Sequence, residues 1–129
     1  MRSRLALTLA MLAGFALGAV AVQSVHAQRS GPGAYAIIDI TEVTSPQGLN
    51  EALAKLPASV AAFGGKFVTR TENILGLDGV PPLRFFIIAF DTMEKAQNWN
   101  NSPAQAAINQ ARMQATSSSS FVVGVEGAQ

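Results

Sequence analysis

The run Leu83-Arg84-Phe85-Phe86-Ile87-Ile88-Ala89-Phe90 constrains the fold of this chain more than any other segment. It is too short for a buried helix, and with a single charge it suits a strand inside a sheet, covered on both faces. The remaining segments must be arranged around it. Upstream, Tyr35 to Val43 is rich in β-branched residues and Lys66 to Ile74 alternates polar and apolar, so both are expected to be strands. Gly76, Gly79 and Pro81-Pro82 make Leu75 to Pro82 a turn-rich connection into the apolar run.

Helical periodicity fills the gaps. Ser45-Pro46 has the form of an N-cap followed by proline at the first helical position. Leu49, Leu53, Leu56, Val60 and Phe63 then recur as one apolar stripe, ended by Gly64-Gly65. Pro57 is expected to kink or split that helix, because it removes an amide donor in mid-run. Asp91-Thr92-Met93-Glu94 reads as a capping box opening a short helix through Trp99, and Ser102-Pro103 opens another to about Gln114. Thr116 to Ser120 reads as a polar, solvated linker and Phe121 to Val125 as the last strand. The order β-α-β-β-α-β, with the second helix in two pieces, predicts an α+β, ferredoxin-like fold: a four-stranded antiparallel sheet with helices on one face.

Helices on one face leave the other exposed to water. Alternation puts Ala36, Ile38 and Ile40 opposite Tyr35, Ile37, Asp39, Thr41 and Val43. It likewise puts Phe86, Ile88 and Phe90 opposite Leu83, Phe85, Ile87 and Ala89. Both sets are apolar, so a homodimer through the uncovered face, burying Ile37, Val43, Phe85 and Ile87, is expected.

The N-terminus has a different character. Arg2 and Arg4, the apolar stretch Leu5 to Val22 and the small-x-small site Val25-His26-Ala27 predict a signal peptide over 1–27. Cleavage before Gln28 would deliver the protein to the periplasm or outside the cell. The competing reading is an uncleaved anchor, the one route by which a membrane would be a partner. The expected organisation is then a lead-in over 28–34, a domain over 35–127 and a tail at 128–129. Cleavage would remove His26, the only histidine, from a chain that has no cysteine. Ser-His-Asp and Cys-His nucleophile pairs and the usual zinc ligand sets are thereby excluded, and no metal or cofactor is expected. Without Arg2 and Arg4, nine Lys and Arg become seven against eight Asp and Glu, a formal charge of −1. The basic residues are dispersed, so nucleic acid is not an expected partner.

Phe63-Gly64-Gly65-Lys66-Phe67 with Arg70 after it, Arg84 leading a strand that ends in Phe90, and Trp99-x-x-Ser102-Pro103 together resemble the domain of unknown function 1330 family, over about Tyr35 to Gly127. The resemblance implies a dimeric α/β-barrel protein in which two ferredoxin-like sheets pack face to face. It implies no established chemistry. Asn100, Ala104, Gln105 and Ala89 stand where such sequences often carry Tyr, Glu, Tyr and Glu, which weakens any inherited acid-base role.

Candidate functional residues are few. Arg70 and Arg84 could hold an anionic group bidentately, or pair with a local carboxylate such as Asp39 or Glu72. Trp99 could stack a flat ligand or pack on the sheet, and Tyr35, the sole phenol, suits a rim. Asp39, between Ile38 and Ile40, is the one catalytic candidate, as a buried general base or the partner of an arginine. A pocket between the Trp99 helix and the sheet is expected, walled by Phe67, Phe85, Ile87 and Trp99, with Arg70, Arg84 and Asp39 converging on it. The favoured reading is binding of a small, largely apolar molecule or aromatic acid. The alternatives are a cofactor-free oxygenase or isomerase using Asp39, Asn100, Trp99 or Tyr35, and an interaction module without a ligand.

Overall fold

Strand β1 (Ala34–Val43) is followed by helix α1 (Pro46–Ala62), strands β2 (Lys66–Thr71) and β3 (Arg84–Phe90), helices α2 (Met93–Asn101) and α3 (Pro103–Ala115), and strand β4 (Thr116–Gly124). The structure, a computed structural model, describes residues 31–126, so the expected signal peptide and the tail lie outside the described residues. The four strands pair antiparallel in the order β2-β3-β1-β4. β1 and β3 are therefore central, as the apolar composition of Leu83 to Phe90 requires. This is the ferredoxin-like α+β fold.

Ala34, Ala36, Ile38 and Ile40 of β1 and Phe86, Ile88 and Phe90 of β3 form one core with Leu49, Leu53, Leu56 and Val60 of α1 and Trp99 and Ile108 of the later helices. Each helix starts where a hydroxyl accepts an orphan amide. Ser45 Oγ accepts from Gly48 N at 3.2 Å, Thr92 Oγ1 from Lys95 N at 3.0 Å, and Ser102 Oγ from Gln105 N at 3.3 Å. Ser102 also donates to the Trp99 carbonyl at 2.7 Å, so one serine ends α2 and starts α3. Gly64, at φ +73°, supplies the left-handed residue that closes α1.

Four local expectations are corrected. α1 is not split at Pro57, because the loss of one ladder bond on its exposed side is outweighed by the buried stripe Leu53, Leu56 and Val60. The cap of α2 is Thr92 and there is no capping box; Asp91 instead pairs with Lys95 at 3.1 Å. Thr116 to Ser120 is not a linker but the first half of β4, where its backbone pairs with β1 and spares the serines any need to pack. Val43 does not face outward: the register shifts between Ile40 and Glu42, and this bulge turns Val43 into the core.

A second bulge, between Phe67 and Thr69, breaks the alternation of β2 and brings Phe67 and Arg70 to the helix side together. The uncovered face then carries Tyr35, Ile37, Asp39, Phe85, Ile87 and Ala89 from the central strands, with Phe121 and Val123 from β4. The connection from β2 to β3 leaves Leu75, Leu77 and Val80 exposed. No helix among the described residues is long and apolar enough to cross a membrane.

Candidate functional site

A cavity of about 140 Å³ opens between helices α2 and α3 and the β1–β4 half of the sheet. Ala36 and Ile38 form its floor, the indole of Trp99 one wall, and Asn100, Asn109 and Ser120 its polar rim. Trp99 is 3 % exposed and packs on Phe90 with ring centroids 5.2 Å apart and planes tilted by 37°. It is both a core residue and a cavity wall.

A directed hydrogen-bond chain fixes this wall. The Trp99 Nε1–H donates to Ser59 Oγ at 3.1 Å, and Ser59 donates to Gln105 Oε1 at 2.8 Å. Gln105 Nε2 donates to Asn109 Oδ1 at 2.9 Å, and Asn109 Nδ2 donates to Asn100 Oδ1 at 2.9 Å. Each member's role determines the next one's, so both side-chain amides that meet at the rim are held in a fixed orientation. Gln105 is fully buried, and such a group is tolerated only because both ends of its amide are satisfied.

Behind Ser120 lies Arg112, 3 % exposed. Its Nη1 donates to Ser118 Oγ and its Nη2 to Ser120 Oγ at 3.4 Å, while its buried Nε–H has no partner among the described residues. Thr116 Oγ1 lies 2.9 Å from Ser118 Oγ and donates to the Arg112 carbonyl at 2.7 Å. Burial pushes the guanidinium pKa down, and the charge of Asp39 pulls it partly back up.

The expected site residues are not brought into one pocket. Phe85 and Ile87 lie on the uncovered face, the opposite side of the sheet from Trp99, because they alternate with core residues Phe86 and Ile88. Asp39 shares that face, and its Oδ1 accepts the backbone N–H of Ser119 at 3.0 Å. Arg70 and Arg84 do meet, around a shallow recess of about 290 Å³ at the β2 edge, with Phe86 and Glu72. There Arg84 Nε pairs with Glu72 Oε1 at 2.8 Å, the local pairing weighed from the sequence. Arg70 lies over the rings of Phe67 and Phe86, 5.0 and 5.9 Å from their centroids. A third concavity, an open groove of about 920 Å³ between α1 and α3, is walled largely by alanines such as Ala52, Ala58, Ala107 and Ala111, with Ser45, Glu51, Lys55, Ser59 and Gln114 as its polar residues.

Sequence reasoning missed Ser59, Gln105, Asn109 and Arg112. The signal was there in the spacing Gln105, Ile108, Arg112, Ala115, a core-facing stripe at intervals of three and four on which two positions are polar.

The family model described as a domain of unknown function, DUF1330, matches residues 33–127. The chain belongs to this family. No curated protein matches the sequence. Among solved structures, the cofactor-independent oxygenase SnoaB from Streptomyces nogalater is 15% identical, with a TM-score of 0.53 over 74% of this chain and 94% of that one. A protein of unknown function from Rhodopseudomonas palustris is 20% identical, with a TM-score of 0.54 over 79% and 92% of the two chains. A dimeric ferredoxin-like protein of unknown function from Jannaschia is 10% identical, with a TM-score of 0.57 over 71% and 98%. At these identities the likeness is one of fold, and it agrees with the DUF1330 assignment and with the strand order above.

Proposed function

We propose that this DUF1330 protein is an exported homodimer that binds a small, largely apolar molecule or aromatic acid in the cavity beside Trp99. The composition of that cavity carries the reading: an indole wall, an alkyl floor and neutral polar groups with fixed orientation at the rim. An apolar cavity of about 150 Å³ takes up benzene, so 140 Å³ suits a single ring. None of the residues lining the cavity is titratable. That weighs against the oxygenase or isomerase reading, despite the fold shared with SnoaB, because general-base chemistry needs a base within reach and Asp39 lies on the other face.

The homodimer reading is supported by the apolar residues of the uncovered face and by the dimeric description of the Jannaschia neighbour. Export rests on the N-terminal sequence alone; intact mass of the exported product should begin at Gln28. Fluorescence of the single tryptophan reads cavity occupancy directly. Titration with benzyl alcohol should quench or shift Trp99 emission saturably, and Ser120→Phe, which fills the rim from the exposed edge strand, should abolish the response. A response unchanged in Ser120→Phe would put binding elsewhere.

A further inference from the structure

Arg112 is a buried cation with no ion-paired carboxylate among the described residues. Guanidinium groups that leave water are normally matched by a carboxylate, since hydroxyls alone replace lost hydration poorly. Here the partners are the hydroxyls of Ser118 and Ser120, and Nε–H has none among the described residues. No carboxylate among the described residues lies within ion-pair distance of Arg112. Asp39, whose charge acts on the guanidinium, has its Oδ1 engaged by the Ser119 amide. Arg70 and Arg84, the expected anion holders, are engaged at the opposite edge of the sheet by aromatic rings and by Glu72.

Ser120 belongs to both features. It lines the cavity beside Trp99, and its Oγ takes Arg112 Nη2 at 3.4 Å, longer than a good N–H···O bond. Arg112 does not itself line the cavity; it reaches it only through Ser120, and that tie is loose. We propose that Arg112 is the anion-recognising residue of the cavity, so that the preferred ligand is a single-ring carboxylate whose carboxyl group sits at Ser120 and whose ring lies against Trp99. This rests on the cavity reading above and adds the ligand class and the residue that selects it. The rim suits such a ligand, because in the amide chain Asn100 uses its carbonyl oxygen as the acceptor and keeps its Nδ2 hydrogens as free donors.

The test compares benzoate with benzyl alcohol on the full-length chain, reading Trp99 fluorescence and the Nε–H resonance of Arg112. Benzoate should bind at least about tenfold more tightly than benzyl alcohol, the gain of one charge-assisted contact. Arg112→Gln should erase that preference, so that benzoate binds no more tightly than benzyl alcohol to the same variant. Should Arg112→Gln fail to fold, the native protein still decides: benzoate should move the Arg112 Nε–H resonance and benzyl alcohol should not. Equal binding of both probes with a stationary Nε–H would overturn the role of Arg112 and leave the cavity reading intact. A Trp99 signal that responds to neither probe would remove both.

Discussion

Ser59 and Gly65 show how much single residues carry. Ser59 Oγ is the partner of the Trp99 N–H and the donor to Gln105 Oε1, both buried. Ser59→Ala would strand a donor and an acceptor at once, and each orphan costs of the order of 1–3 kcal/mol. We expect a loss of about 3 kcal/mol in denaturant unfolding and looser Trp99 fluorescence anisotropy; a loss below about 0.5 kcal/mol would mean that water replaces the hydroxyl freely. At Gly65 the constraint is space: an added Cβ would stand 2.7 Å from Phe90 Cε1 and 2.7 Å from Val60 Cγ1. Gly65→Ala should therefore destabilise by about 2 kcal/mol through overpacking, whereas the same change at a glycine with an open surround would not clash. The Phe63-Gly64-Gly65 signature thus joins a left-handed turn at Gly64 to a close approach at Gly65.

Among the elements, α1 holds a stability reserve. Pro57 is exposed within an intact helix, so nothing packed depends on its ring. Pro57→Ala restores a donor toward the Leu53 carbonyl and relieves the ring clash, worth up to about 3 kcal/mol, against about 1 kcal/mol lost by loosening the unfolded chain. A net gain of about 2 kcal/mol should appear as a raised melting temperature. A fall on substitution would show that the proline sets an axis bend on which the packing of α1 relies. β4 teaches the complementary lesson. Its serine run has poor strand propensity, yet the strand forms because β1 supplies a pairing edge and Arg112 supplies donors to the inward hydroxyls. Local pattern marked it as a linker because neither partner is local.

At the scale of the whole molecule, the uncovered sheet face is the feature that the chain alone leaves unfinished. Ile37, Phe85 and Ile87 lie half-buried at its centre, with Phe121 and Val123 exposed beside them. Light scattering of the native protein should give twice the monomer mass. Phe85→Asp and Ile87→Asp should each give monomer or insoluble protein, since a carboxylate trapped in that interface would cost about 3 kcal/mol or more. Soluble dimer from both would place the interface on the helix side instead. The Trp99 cavity lies on the opposite layer from Phe85 and Ile87, so ring binding should survive in any soluble monomer.

Periodicity in the sequence was sufficient for the β-α-β-β-α-β order, for the central place of Leu83 to Phe90 and for the split of β3 into two faces, because these follow from side-chain alternation along a single strand or helix. The helix starts at Ser45 and Ser102 were legible for the same reason: a cap is a contact among neighbours in the chain. What only the tertiary structure decided depends on registers between distant segments. The bulges at Thr41 and Val68 turned Val43 inward and set Phe67 beside Arg70. Packing of the helices on the Phe86 and Ile88 face alone separated Trp99 from Phe85 and Ile87, and strand order sent Arg70 and Arg84 to one edge and Arg112 to the other. A hydrogen bond such as Ser59 to Gln105 joins residues 46 apart in the chain. Its energy does not exist until the helices have packed, so no local pattern of residues can encode it.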